Sequence, residues 1–293
     1  MKQLGVVFVT AAVCVVPAAG QTPAQRQRTV SYLQKLQAAD RGFQASASGR
    51  SAALSSLRAT TAAMRALHHF GGQPRDAKAC AAFVKRCFDS DHGAFADLPG
   101  GKPDAITTAV GMMAVAELKL PPEPYADKVV RYLGGHARGF EEIRMAAAGV
   151  EAAGKQPDEA RDWLEQLGKL RNAAGDFGNG ESAARDTGGA IVAVMRLGGR
   201  VGPREQVLKT LRAGQHGDGG FGKAGAGSDL ETTYRVMRAF MMLKEKPDNP
   251  GRCRAFVGKC RNADGGYSVA PGQASSAAGT YFASQVLHWL DAE

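Results

Sequence analysis

DGGFGKAGAGSDLETTYRVMRAFMML, residues 218–243, is a glycine-rich turn closed by an aromatic residue, Phe221, and followed by a helix of small and apolar residues. The same succession recurs along the chain. The turns DRGF, HGAF, ARGF, AGDF, DGGF and DGGY end at Phe43, Phe95, Phe140, Phe177, Phe221 and Tyr267, so successive aromatics lie 52, 45, 37, 44 and 46 residues apart. Periods in this range mark a repeat architecture, in which each unit buries its apolar face against its neighbours.

The helical halves agree in detail. RATTAAMRALHHF (58–70), DAITTAVGMMAVAEL (104–118), TGGAIVAVMRL (187–197), LETTYRVMRAFMML (230–243) and SAAGTYFASQVLHWL (276–290) are built from the same small residues. Thr61, Thr108, Thr233 and Thr280 fall 18, 13, 12 and 13 residues beyond the local aromatic. Asp104, Asp229 and Ser276 precede three of these threonines by four residues, where an N-cap side chain would accept from an orphan amide. FEEIRMAAAGVEAAG (140–154) lacks the threonine and is the most eroded copy.

A second helical pattern precedes each aromatic. Cys80-Ala-Ala-Phe-Val-Lys-Arg-Cys87 and Cys253-Arg-Ala-Phe-Val-Gly-Lys-Cys260 share their spacing and their Phe-Val centre. Each unit therefore reads helix, turn, helix, and the repeats predict about twelve helices. No stretch alternates apolar and polar residues for long enough to demand a strand.

The chain has 293 residues, 44% hydrophobic and 22% charged, enough to bury one large core, and no low-complexity linker divides residues 21–293. Residues 1–20 stand apart. Lys2, an apolar run from Val6 to Val16 and the small residues Ala18-Ala19-Gly20 predict a secretory signal peptide, hence a periplasmic or secreted protein. That run is too short to span a bilayer, and no later segment is suited to it. Export would ordinarily suggest disulfides among Cys80, Cys87, Cys253 and Cys260. Cysteines seven apart on one helix are separated by about 10.5 Å along its axis, so buried free thiols are expected instead. The net charge of +9 favours anionic partners without locating them. Basic residues are not interleaved with aromatics and no nucleic-acid motif is present, so no nucleic-acid partner is expected.

With its weaker copies, the 218–243 stretch resembles the repeat shared by protein prenyltransferase β subunits and the squalene and terpene cyclases. The resemblance covers essentially all of residues 21–293. It implies an all-α fold, an (α/α)6 toroid in which the threonine-bearing helices surround a funnel and the cysteine-bearing helices enclose them. The nearest branch is the protein prenyltransferase β subunit of the geranylgeranyl type. There, zinc is held by an Asp and a Cys two residues apart at the start of an inner helix, and by a His opening a later one. Asp229 matches the first position, Glu231 stands where the Cys would fall, and Gly279 where the His would fall. The family zinc site is therefore not intact, and a carboxylate pair would favour a hard divalent cation. Where the family places an Arg and a Lys for isoprenoid diphosphate, residues 222–228 keep only Lys223. The cyclase branch protonates with Asp-x-Asp-Asp-Thr, whose nearest match here is Asp229-Leu230-Glu231-Thr232-Thr233, and its triterpene cyclases are two such domains long.

The resemblance thus implies a ring with a thinned active centre. The first expectation is a divergent binding protein, holding an apolar, isoprenoid-like molecule or a peptide in its funnel, with no cofactor. Lys223, Tyr234 and Tyr281 are its candidate ligand-binding residues, the two tyrosines standing at equivalent places in two copies. The alternative is an active geranylgeranyl-type transferase with Asp229 and Glu231 as catalytic residues holding a divalent metal, and with a helical-repeat partner subunit. Paired carboxylates also hydrolyse sugars, but no second carboxylate across the cavity can be read from the sequence. His216 and Asp218 share a turn without an adjacent Ser or Cys, so no hydrolase triad is expected. His68 and His69 close the first inner helix, where imidazole interacts with the carbonyl end.

Overall fold

A computed structural model of the chain describes residues 21–47 and 54–292. The predicted signal peptide lies outside the described residues. Helices alternate between two rings. The outer one holds α1 (Pro23–Lys35), α3 (Ala77–Arg86), α5 (Ala126–His136), α7 (Ala160–Lys169), α9 (Arg204–Ala213) and α11 (Pro250–Lys259). The inner one holds α2 (Leu57–His69), α4 (Ala105–Glu117), α6 (Phe140–Ala153), α8 (Ala183–Arg196), α10 (Leu230–Leu243) and α12 (Ala277–Asp291). Each inner helix packs on the next, and α12 packs back on α2, which closes the (α/α)6 toroid. No helix among the described residues is long and apolar enough to cross a membrane.

The recurring turn is held by its threonine. The hydroxyls of Thr108, Thr187, Thr233 and Thr280 accept from the backbone N–H of Phe95, Phe177, Phe221 and Tyr267 at 3.0–3.1 Å. Each aromatic ring is almost wholly buried between units. In the first copy the partner of Phe43 is Thr60, at 2.9 Å, while Thr61 bonds the Leu57 carbonyl within its own helix. A longer connection between Phe43 and α2 puts Thr60 17 residues beyond its aromatic, against 13, 12 and 13 for Thr108, Thr233 and Thr280. Counted from the helix start, Thr60, Thr108, Thr233 and Thr280 share one position, four residues after the N-caps Ser56, Asp104, Asp229 and Ser276.

A second device went unread in the sequence. The carboxylates of Asp40, Asp218 and Asp264 each accept from the backbone N–H two residues on and from a serine hydroxyl across the turn, Ser55, Ser228 and Ser275. Two-residue antiparallel pairs also lock two of the turns, β1 (Phe43–Gln44) with β2 (Ser55–Ser56) in the first copy and β3 (Phe88–Asp89) with β4 (Ala94–Phe95) in the second. They are too short to show as an alternating pattern.

Ring closure uses the same geometry as the joint before it. Gly219 has φ +95° and lies against α11, where a Cβ would come within 2.2 Å of the Arg252 carbonyl oxygen. Gly265, with φ +92°, makes the equivalent approach to Arg28 on α1, so the last turn docks on the first helix. Only glycine takes this backbone conformation and this proximity without strain. Hydrogen bonds from Thr29 Oγ1 to the Gly265 carbonyl at 2.7 Å and from Ala277 N to the Ala45 carbonyl at 2.8 Å complete the seam.

The third copy departs from the pattern. Phe140 opens α6 itself, with Gly139 as N-cap, and only three residues separate α6 from α5. Without a loop there is no turn for a threonine to hold. In the outer ring Cys80, Cys87, Cys253 and Cys260 are buried free thiols, each pushed up to about 12 by burial.

Candidate functional site

The inner helices leave a cavity of about 380 Å³ along the ring axis, and all six contribute to its lining. Ala62, Ala148, Gly188, Gly189 and Ala278 keep side chains short where the helices converge. Ile106, Val110, Met113, Met145, Val192 and Phe282 form an apolar wall. The volume is typical of small-molecule sites, which span about 300–1,000 Å³. One outer helix returns the chain between successive inner helices, so the inner six run the same way and the cavity has an N-terminal and a C-terminal end.

The N-terminal end is closed by ion pairs. Arg235 Nη1 donates to Glu141 Oε1 at 2.7 Å, and its Nη2 donates to Glu231 Oε1 at 2.9 Å. Arg185 lies 3.6 Å from Glu231, and Arg144 donates to Glu141 at 2.8 Å. Burial opposes ionisation of Glu141, but Arg235 and Arg144 outweigh it and hold the carboxyl down to about 2. Arg58 reaches Asp104 at 3.4 Å and Thr107 Oγ1 at 2.7 Å across the same rim.

These contacts place the candidate residues. Glu231 lines the cavity, held by two guanidinium groups. Asp229 sits outside the lining and caps α10, its Oδ1 accepting from Thr232 N at 2.7 Å and its Oδ2 from Thr232 Oγ1 at 2.8 Å. At Gly279 a Cβ would lie 2.5 Å from the Tyr267 carbonyl oxygen and 2.7 Å from the Ser268 carbonyl carbon. The residues at the three family positions therefore do not fit a zinc ion. Among the described residues no three His, Cys, Asp or Glu side chains converge as a metal site requires. Lys223 is exposed in the 222–228 loop, away from the cavity.

Tyr234 and Tyr281 are brought together. Their hydroxyls are 2.9 Å apart inside the cavity, and Arg238 Nη1 donates to the Tyr234 oxygen at 2.9 Å. Burial alone would raise Tyr234, but Arg238, Arg65 and Arg196 outweigh it and draw the phenol down to about 7. Tyr281 moves the other way, pushed up by burial and by the neighbouring phenol. Below the pair, a second hollow of about 230 Å³ runs between the C-terminal halves of α2, α4, α6, α8 and α10. It shares Arg65, Met113, Ala148, Arg196 and Arg238 with the larger one.

The arginines were missed by sequence reasoning, which treated basic residues as surface. A signal existed: Met-Arg recurs at Met64-Arg65, Met195-Arg196 and Met237-Arg238 within inner helices. Sequence adjacency also concealed Ser228, which joins His216 and Asp218 in space. His216 Nδ1 stands 3.0 Å from Ser228 Oγ, whose hydroxyl donates to Asp218 Oδ1 at 2.7 Å. The carboxylate contacts the serine rather than the imidazole, the reverse of a nucleophilic triad, and the three residues staple the turn.

Residues 2–134 and 143–293 match the prenyltransferase alpha-alpha toroid domain. Among solved structures, a type II terpene cyclase, MstE from Scytonema, in complex with its substrate geranylgeranyl dihydroxybenzoate is similar with a TM-score of 0.62. Identity is 13%, over 91% of this chain and 95% of that one. Protein geranylgeranyltransferase-I of Candida albicans, complexed with GGPP, is similar with a TM-score of 0.63 and 14% identity over 80% of this chain and 83% of that one. A protein from Actinoplanes is 14% identical over 91% of this chain and 98% of its own, with a TM-score of 0.59. At such identities the likeness is one of fold. No curated protein sequence matches the chain.

Proposed function

The chain belongs to the prenyltransferase alpha-alpha toroid domain family, and on that premise we propose that it is a binding protein whose central cavity holds an apolar, isoprenoid-like molecule. The observation that carries this reading is the cavity wall, where Ile106, Val110, Met113, Met145, Val192 and Phe282 face one hollow of about 380 Å³. Methionine side chains suit an irregular apolar ligand because they adapt their shape at little cost. Toroids of the same fold are complexed with GGPP and with geranylgeranyl dihydroxybenzoate. On the pattern of residues 1–20 we place the protein outside the cytoplasm, in the periplasm or secreted.

What favours binding over prenyl transfer is the engagement of the candidate catalytic groups. Asp229 spends both oxygens on Thr232, Glu231 is neutralised by Arg235 and Arg185, and position 279 carries no side chain. Binding also requires neither a partner subunit nor a divalent metal.

Trp289 stacks on Tyr234 with ring centroids 5.5 Å apart, so its fluorescence reports on the cavity. Titration with farnesol and geranylgeraniol is expected to change that emission saturably and to raise the melting temperature. No response to any isoprenoid, or a response confined to peptides, would refute the assignment.

A further inference from the structure

Arg65, Arg196 and Arg238 line the junction of the two hollows. Two of them have carboxylate partners. Arg65 lies 3.7 Å from Glu117, and Arg196 lies 2.9 Å from Glu151. Arg238 has none among the described residues. Its Nη1 donates to Tyr234, its guanidinium lies 5.9 Å from the Trp289 ring centroid, and its Nε is shielded from solvent without a hydrogen-bond partner. A guanidinium keeps its charge, so Arg238, half-buried and without a carboxylate partner, is left to pair with the Tyr234 phenolate or with an anion that a ligand supplies.

Three further features make this a site rather than a stray charge. The Tyr234 and Tyr281 hydroxyls stand beside Arg238 and can donate to the same acceptor. Arg65 lies 4.9 Å from the Tyr281 ring centroid, which fixes a second guanidinium against the pair. Met113 and Ala148 line both hollows, so the apolar wall leads into the arginines without a break. A ligand filling the wider hollow with its apolar part brings its end group to Arg238.

Resting on the binding reading above, we propose that Arg65, Arg196 and Arg238, with Tyr234 and Tyr281, bind the anionic end group, carboxylate or phosphate, of an amphiphile whose apolar part occupies the wider hollow. Planar guanidinium groups pair with either oxyanion through two parallel hydrogen bonds, and the surrounding low dielectric strengthens them.

The test compares farnesol, farnesoate and farnesyl phosphate as ligands of the purified protein and of its Arg238→Gln variant, with circular dichroism to check that the variant is folded. At least one of the two anions is expected to bind the wild type about ten-fold or more tighter than farnesol, the usual scale of a charge-assisted hydrogen bond. The Arg238→Gln variant is expected to lose that preference, its affinities for the two anions falling to within about two-fold of its affinity for farnesol. A preference for farnesoate alone assigns a carboxylate ligand, one for farnesyl phosphate alone a phosphate ligand, and either supports the proposal. No preference in the wild type, or a preference undiminished in the variant, overturns it. A second measurement needs no variant. A bound anion beside Tyr234 disfavours its phenolate, so saturating ligand is expected to shift the tyrosine titration upward, and an unmoved titration overturns the site. The groups that act on this phenol are Arg238, Arg65, Arg196, Tyr281 and Arg144. Failure of all three farnesyl compounds to bind would remove the apolar-ligand reading. The site is then judged by benzoate and inorganic phosphate, which must raise the melting temperature of the wild type and not of Arg238→Gln for it to stand.

Discussion

The Tyr234 hydroxyl on α10 and the Tyr281 hydroxyl on α12 meet 2.9 Å apart, each one residue past the threonine that holds its own turn. Equivalent places in adjacent repeats face each other because both helices present the same side to the ring axis. The two phenols are nevertheless unequal. Tyr234 also receives Arg238, so the charge of a phenolate is best placed on its oxygen, and its neighbour keeps the proton.

That inequality predicts a near-neutral tyrosine titration. Phenolate absorbance is expected to show one residue titrating with a midpoint near 7, absent from Tyr234→Phe. The sign for stability follows. A folded-state value below the ordinary 10 means that the folded protein gives up its proton first, so the stabilising increment grows from pH 7 to 10 and is lost as pH falls through 7. Tyr281, with a raised value, contributes oppositely, and its increment declines only above pH 10. Melting temperatures of wild type and Tyr234→Phe should therefore diverge between pH 7 and 10, the wild type gaining; parallel curves would contradict the charge placement.

Thr60 and Thr61 separate a turn-holding threonine from a cavity-facing one. Thr60→Val leaves the buried Phe43 amide without an acceptor and is expected to cost about 1–3 kcal/mol. Thr61→Val removes only a hydroxyl bonded to a carbonyl of its own helix, that of Leu57, and is expected to cost less than about 1 kcal/mol. Urea denaturation of the two variants decides, and equal losses would mean that Thr60 does not hold the first turn.

The same pair shows what the sequence makes legible and what it conceals. Periodicity reveals the ring because most units set an aromatic into the joint behind a glycine-rich turn, as at Gly219 and Phe221, although Arg41 takes the positive φ in the first copy. Caps such as Asp104, Asp229 and Ser276 are local and could be counted from the threonines. Which face of an inner helix looks into the cavity is not local. Arg238 reads as an ordinary basic residue until α2, α8 and α12 surround it, and Ser228 joins His216 only when the loop folds back. Phe140 keeps the motif's letters while its surroundings have lost the loop that gave the motif its purpose.

Asp229 is expected to behave as a cap. Asp229→Ala should lower stability by about 0.5–2 kcal/mol, the range for removing an N-cap, and Asp229→Asn by much less because the amide oxygen can accept from Thr232. Isoprenoid affinity should be unchanged in both, and in Lys223→Ala, because neither residue lines the cavity. A loss of binding or of any prenyl-transfer activity in Asp229→Asn, with the fold intact, would restore a catalytic role to this carboxylate. Denaturant titration run beside ligand titration on the same preparations makes the distinction.

Restoring the relatives' metal ligands is expected to fail for a steric reason. A side chain at 279 must begin with a Cβ only 2.5 Å from the Tyr267 carbonyl oxygen and 2.7 Å from the Ser268 carbonyl carbon, both backbone atoms. That backbone is fixed from both sides, since Thr280 holds the Tyr267 amide and Ser276 N donates to the Tyr267 carbonyl at 3.0 Å. Gly279→Ala should therefore already cost about 1–3 kcal/mol as an overpacked site, and Gly279→His more. Glu231→Cys is a different case, because residue 231 faces the cavity and the change frees Arg185 and Arg235 from one carboxylate. The double variant, Glu231→Cys with Gly279→His, is expected to unfold at lower temperature than either wild type or Glu231→Cys and to take up no stoichiometric zinc. Measured by calorimetry and metal analysis, a stable double variant holding one zinc per chain would show that the joint between Tyr267 and α12 yields, and that the ring has kept more of its relatives' chemistry than its packing implies.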